Sequence, residues 1–167
     1  MPAGVSAWTP LANITLGSAQ TTVTFSSISS AYRDLRLVYR GNASGFSGNA
    51  PSMRFNADDT VAYPTVLFTG DTTTAYASTS AFSWINISDA NYINPAGPML
   101  ITLDIFDYSA TNKAKAVLSR TNAGAGVNMN VGYWPNTAAI TTITLAIAFG
   151  STSFVSGSTF TLYGVSA

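Results

Sequence analysis

The side chains able to do chemistry in this sequence are few. It contains no His, no Cys and no Glu, and its acids are seven Asp set against seven Lys and Arg. Without imidazole or thiolate, neither a Ser-His-Asp nor a Cys-His arrangement can be assembled within the chain, and zinc loses its commonest ligands. Carboxylate pairs and a Ser-Lys dyad remain. Glycoside hydrolysis needs two carboxyls facing one another across a sugar. Asp58 and Asp59 are adjacent, and Asp104 and Asp107 are three apart, so on extended chain each pair points to opposite sides. Ser119 shares a strand face with Lys115, but such a base requires a desolvated amine beside the hydroxyl. The expectation is no catalytic residue, no cofactor and no metal. Asp58 and Asp59 then serve a turn, and Asp104 pairs with an arginine on a neighbouring strand, Arg36 being one candidate. Asn56-Ala-Asp-Asp59 offers oxygens that calcium accepts, but it lacks the spacing of an EF-hand loop and reads as an Asx-rich turn.

Aromatic side chains are the other reserve. Trp84, Tyr92, Tyr133 and Trp134 are the candidate interaction residues, with Tyr63 and Tyr76 near them in type and setting. Such rings stack on sugars, anchor subunit interfaces or fill a core. Clustered at one tip of the domain, Tyr92, Tyr133 and Trp134 would favour a glycan platform; buried, they would count against one.

Composition narrows the partners. Charged residues are 8% of the chain and the formal net charge is zero, against about 25% charged in an ordinary soluble domain. No basic stripe is present to displace counterions from a nucleic acid. No apolar run reaches the roughly 20 residues of a membrane helix. Copies with so little charge repel one another weakly, which favours assembly. The first residues, Met-Pro-Ala-Gly-Val-Ser-Ala, have neither a basic nor an apolar region of the signal-peptide kind. The expectation is synthesis in a cytoplasm without a signal peptide.

The elements that must position these residues are strands. Asp34–Arg40 alternates, sending Leu35, Leu37 and Tyr39 to one face, and Thr141–Phe149 does the same with Ile143, Leu145, Ile147 and Phe149. Thr159–Tyr163 repeats the pattern with Phe160 and Leu162, while Pro98–Phe106 is apolar on both faces and reads as a central strand. Ile14–Leu16, Thr22–Phe25, Ser52–Phe55, Thr65–Phe68, Phe82–Ile87, Lys115–Arg120 and Val127–Tyr133 complete the set. About ten short strands, punctuated by Gly, Asn, Asp and Ser, predict an all-β antiparallel sandwich, jelly-roll-like, as one domain over 1–167. The only helical candidate is a single turn near Ala57–Val61.

Several phrases together resemble known proteins. They are Trp8–Leu16, Thr22–Ile28, Tyr32–Val38, Met53–Asn56, Asn112–Ser119, Ala139–Leu145 and, most specific of all, Ser156-Gly-Ser-Thr-Phe-Thr-Leu-Tyr-Gly-Val165. Their succession, over nearly the whole chain, resembles the β-sandwich virion proteins of tailed bacteriophages, cyanobacterial and marine phages included. The resemblance implies a jelly-roll-like domain of the kind found in capsid decoration (cement) proteins, head fibres and tail-fibre tips, without catalytic residues. It leaves the place on the particle open; the lack of a shaft or coiled coil and the low charge favour a decoration protein on the capsid exterior, expected as a homotrimer bound to the major capsid protein. A module binding a host-surface glycan on a head or tail fibre is the alternative.

Overall fold

The structure, a computed structural model, describes residues 7–44, 50–89, 97–123, 126–147 and 152–166. Among them there are fourteen strands and no helix. Eight strands make the two sheets of a jelly roll. In one, β1 (Trp8–Thr15), β14 (Thr159–Val165), β3 (Asp34–Gly41) and β9 (Met99–Ile105) lie side by side in that order. In the other the order is β2 (Thr22–Phe25), β12 (Ile143–Ile147), β5 (Pro51–Phe55) and β8 (Ile85–Asn86). Read along the chain, these strands cross between the sheets as a double Greek key requires. Every pairing is antiparallel.

Two hairpins are inserted into this frame. β6 (Tyr63–Gly70) and β7 (Ala75–Phe82) lie between β5 and β8 in sequence; β10 (Lys115–Ala123) and β11 (Gly126–Trp134) lie between β9 and β12. They extend the first sheet past β9, giving eight strands in the order β1-β14-β3-β9-β10-β11-β6-β7. A clip of β4 (Ala43–Ser44) and β13 (Ser153–Phe154) closes one end.

The expected sandwich is therefore present, with more strands than period two reveals. β7 was not expected: Ala-Tyr-Ala-Ser-Thr-Ser-Ala-Phe lacks the alternation of large apolar side chains by which a half-buried strand is recognised. Ala57–Val61 forms no helix, because Asn56 and Ala57 both adopt left-handed backbone (φ 50° and 54°), which turns the chain instead. β12 begins at Ile143 rather than Thr141, since the Asn56 side chain takes the backbone N–H groups of Thr141 (2.9 Å) and Thr142 (3.0 Å). Phe149 lies outside the described residues.

The core fills the space between the two four-stranded layers. Leu35, Leu37 and Tyr39 of β3 meet Ile101, Leu103 and Ile105 of β9 and Phe160 and Leu162 of β14, all buried. Val23, Phe25, Met53, Phe55, Ile143 and Leu145 close it from the other sheet. Each such side chain contributes about 1.5–3 kcal/mol on burial. Tyr39, Phe154 and Phe160 pack as an aromatic trio, centroids 4.7–5.3 Å apart. In β14, Gly164 lies under the Tyr32 ring, and a Cβ there would stand 2.4 Å from Tyr32 Cγ. Gly164→Ala should therefore cost about 2 kcal/mol, the scale of overpacking, read as a lower urea midpoint at unchanged slope; an unchanged midpoint would show that Tyr32 can swing away freely.

Candidate functional site

The inserted hairpins reverse the polarity of the sheet. In β3, β9 and β14 the apolar side chains face inward; in β6, β10 and β11 much of the inward face is polar. Thr65, Thr69, Lys115, Ser119, Thr121, Asn128 and Asn130 are buried there, while Val66, Phe68, Val127, Met129, Val131 and Tyr133 are exposed on the other side. The cause lies in what covers the inner face. Instead of a long strand it meets β8 and the irregular chain after it, whose backbone carbonyls need donors. Asn130 donates to the Asn86 carbonyl (2.8 Å) and Thr121 to that of Ile87 (3.1 Å). Thr69 donates to the Asp89 carboxylate (2.8 Å), as does the Tyr76 hydroxyl. Gly132, on the same face, lets Ile85 come close enough that a Cβ would clash at 2.4 Å.

Outward, the register brings the apolar side chains into one patch. Tyr133 lies opposite Ala116, Val131 between Leu118 and Val66, and Met129 between Arg120 and Phe68. Val66, Phe68 and Pro64 in turn pair with Thr79, Ala77 and Ala81 of β7. Val127 is 64% exposed and Phe68 44%. Near the two hairpin turns the surface forms a groove of about 820 Å³, lined by Phe68, Ala77, Leu100, Val127 and Met129. Its rim is charged: Asp104 holds Arg36 (2.5 Å) and Arg120 (2.7 Å), and Arg36 lies over the Trp8 ring at 4.2 Å. A contiguous apolar centre with a polar rim is the make-up of a protein-binding surface.

The residues singled out from sequence are scattered. Tyr133 sits in this patch, 43% exposed. Trp134, next along β11, points the opposite way: it is buried against Phe55 (centroids 5.5 Å apart), so it is a core residue and no part of a binding platform. Alternation along a strand makes that separation unavoidable. Trp84 is half-buried beneath Arg54, whose guanidinium lies 3.9 Å from the ring centre. Tyr92 lies outside the described residues. Asp104 pairs with Arg36, as expected, and also with Arg120; Asp107 turns away to Lys113 (2.6 Å). Lys115 is buried, and desolvation pulls its pKa down, with the nearby Lys113 charge adding to the shift. Its ammonium donates to the Lys113 and Thr137 carbonyls (2.7 and 3.1 Å). Four residues of strand, roughly 13 Å, separate it from Ser119, so the two make no dyad.

No group of His, Cys, Asp or Glu among the described residues is arranged to hold a metal. What the sequence reading missed is the patch itself. The signal was in Val127-Asn-Met-Asn-Val-Gly-Tyr-Trp134, where one phase is wholly apolar and the other carries two Asn, Gly132 and Trp134. Choosing the inward phase needs the knowledge that β8 and its backbone carbonyls lie opposite. Compared with known protein families, curated proteins and solved structures, the chain matches none.

The Asn56–Asp59 segment acts as a structural clamp. Asp58 Oδ1 accepts from Thr60 N–H (3.2 Å) and hydroxyl (2.7 Å), and Oδ2 accepts from Trp134 Nε1 (2.9 Å) and Asn136 Nδ2 (3.2 Å). The Thr60 hydroxyl above all, with Trp134 and Asn136, holds the carboxyl at about 2, below its ordinary 3.8, against the opposing effect of desolvation. A carboxylate lowered on folding stabilises above its unfolded pKa and loses that contribution as pH falls through the folded one. Asp58→Asn should lose about 1–3 kcal/mol at pH 7, with the gap to the parent closing between about pH 4 and pH 2. Thermal melts across that range check it; a gap independent of pH would assign the loss to something other than the charge.

Proposed function

We propose that this chain is a non-enzymatic structural protein of a tailed-phage particle, a decoration protein that docks on the outside of the capsid shell. The observation that carries the reading is the apolar outer face of the two inserted hairpins, centred on Phe68, Met129 and Val131 and rimmed by Arg36, Asp104 and Arg120. The frame supports it by analogy, jelly rolls being common in viral capsid and lectin domains. The sequence supports it by what it withholds, the side chains of most acid–base and nucleophilic chemistry. The location on a phage shell comes from the resemblance of the sequence to virion proteins.

The action is mechanical. Covering the apolar face contributes about 25 cal/mol per Å² removed from water. A protein that binds the assembled shell and not its free subunits draws the equilibrium toward assembly. The Arg and Asp rim sets orientation rather than affinity. The partners are the major capsid protein and further copies of this chain; no cofactor enters.

The purified protein is added to particles assembled without it, and the mixture is imaged by electron cryomicroscopy. Regular density at the symmetry axes of the shell is expected. Phe68→Asp and Val131→Asp should each weaken binding at least tenfold, the effect of about 1.4 kcal/mol, while Leu103→Ala in the core lowers the melting temperature more than either and leaves binding of the folded protein unchanged. Bare shells, with density at the tail or binding to host glycans instead, would replace this reading with a receptor-binding module.

A further inference from the structure

We propose that two copies of this chain join through β7, edge to edge and antiparallel, to make one continuous sheet across a two-fold axis. The larger sheet has two edges, and they differ. β1 carries Pro10, which cannot donate to a ladder, and its register with β14 slips between Pro10 and Ala12. Trp8 is drawn aside against Tyr163 and Arg36. Proline, a bulge and a twisted end are the devices by which a sheet edge refuses another strand.

β7 has none of them. Its register with β6 runs unbroken over eight pairs. Ala75-Tyr-Ala-Ser-Thr-Ser-Ala-Phe82 contains no Pro, no Gly and no charge. Ala77, Ser78 and Thr79 are exposed on both faces, because the four-stranded sheet stops short of this strand. Among the described residues β7 has a strand neighbour on one side only. The edges of the smaller sheet are short, four residues in β2 and two in β8, and short edges are poor templates. Among the strand edges of the described residues, β7 alone is both long and free of proline and bulges.

The occupant follows from charge and symmetry. An uncharged strand in a chain of zero net charge has nothing with which to select an acidic or a basic peptide, and nothing that repels a copy of itself. A head-to-tail contact of β7 with β1 is blocked by Pro10 and the bulge. The pairing left is β7 with β7, an isologous contact that closes as a dimer and does not run on into a fibre. The two-fold axis stands perpendicular to the sheet, so both outer faces lie on the same side. Ala77, Thr79 and Ala81, small and in line with Phe68, Val66 and Pro64, then join the two apolar patches into one. This arrangement is two-fold, in place of the trimer that the resemblance implies, and it does not depend on where the protein works.

The chain has no cysteine, so single thiols can be placed at will. The mass of the purified protein is measured by light scattering at about 50 μM, within reach of an interface of ordinary affinity. Cysteine is then substituted singly at each position from Ala77 to Ala81 and oxidised mildly. Antiparallel self-pairing puts one of these positions on the axis, with Cα atoms inside the 4.4–6.8 Å span of a disulfide. Expected is twice the 17.4 kDa chain mass, with a disulfide-linked dimer at the one position on the axis and none two residues away, where the two Cα atoms stand about 14 Å apart. Asn13→Cys on β1 should give none. A monomer, a trimer, or a dimer that crosslinks at none of the five positions overturns the proposal.

Discussion

An eight-stranded sheet facing a four-stranded one has strands that no second layer can bury, and that mismatch governs the rest of this molecule. Over β14, β3 and β9 the two layers meet and the core is as apolar as any sandwich interior, with Leu37, Ile101, Leu103 and Phe160 fully enclosed. Beyond β9 the covering layer thins to two-residue β8 and the loop that follows it. There the inner face must satisfy backbone carbonyls, so Asn130 and Thr121 replace aliphatics. A strand has only two faces, and apart from the buried Tyr63 and Trp134 most of the large apolar residues of β6 and β11 are left pointing out.

The inserted hairpins thus exchange self-burial for an exposed apolar surface. The cost is visible inside as well: the Ser119 hydroxyl and the Asn128 amide are buried with no protein partner among the described residues. Buried polar groups of this kind stabilise less than the hydrocarbon they replace. A domain selected for stability alone would put Val131 and Met129 inward, and the structure places them outward beside Phe68. The same reasoning applies to the edges. Pro10 and its bulge give up ladder hydrogen bonds at β1, whereas β7 keeps an unbroken register with β6 and carries neither proline nor bulge.

How much of this was legible in the sequence depended on where each strand stands. Strands between two layers show period two with large side chains on one phase, so β3, β12 and β14 were read with the correct inward residues, while β9, apolar on both phases, was read as a central strand without an inward side. Asp104 was matched to Arg36 because a strand-borne charge in a chain this poor in charges needs a partner across the sheet. β7 was invisible because a strand buried on neither face has no apolar phase. In β11 both phases were visible, but their direction was not, since it is decided by β8, some forty residues away in sequence. Trp134 illustrates the limit. Its size and its neighbour Tyr133 marked it as a candidate for binding, yet the pleat sends it to Phe55 and Asp58, where it ties β11 to the Asn56 turn.

The jelly roll and its additions are therefore separable in packing as well as in sequence. Substitutions in the frame, such as those that remove Leu103 or crowd Gly164, act on stability and leave the outer patch as it was. Phe68, Met129 and Val131 keep 39–44% of their surface in water, so substitutions there cost the folded monomer less than substitutions in the core. Sites without shared partners add nearly independently, so the two groups of residues can vary under separate constraints. The proposed docking surface thus lies on elements whose loss of burial the frame can tolerate. The low charge fits the same logic: with zero net charge and 8% charged residues, long-range steering is weak, and recognition falls to shape and apolar contact at short range. A surface of that kind discriminates by fit and by the number of contacts made together.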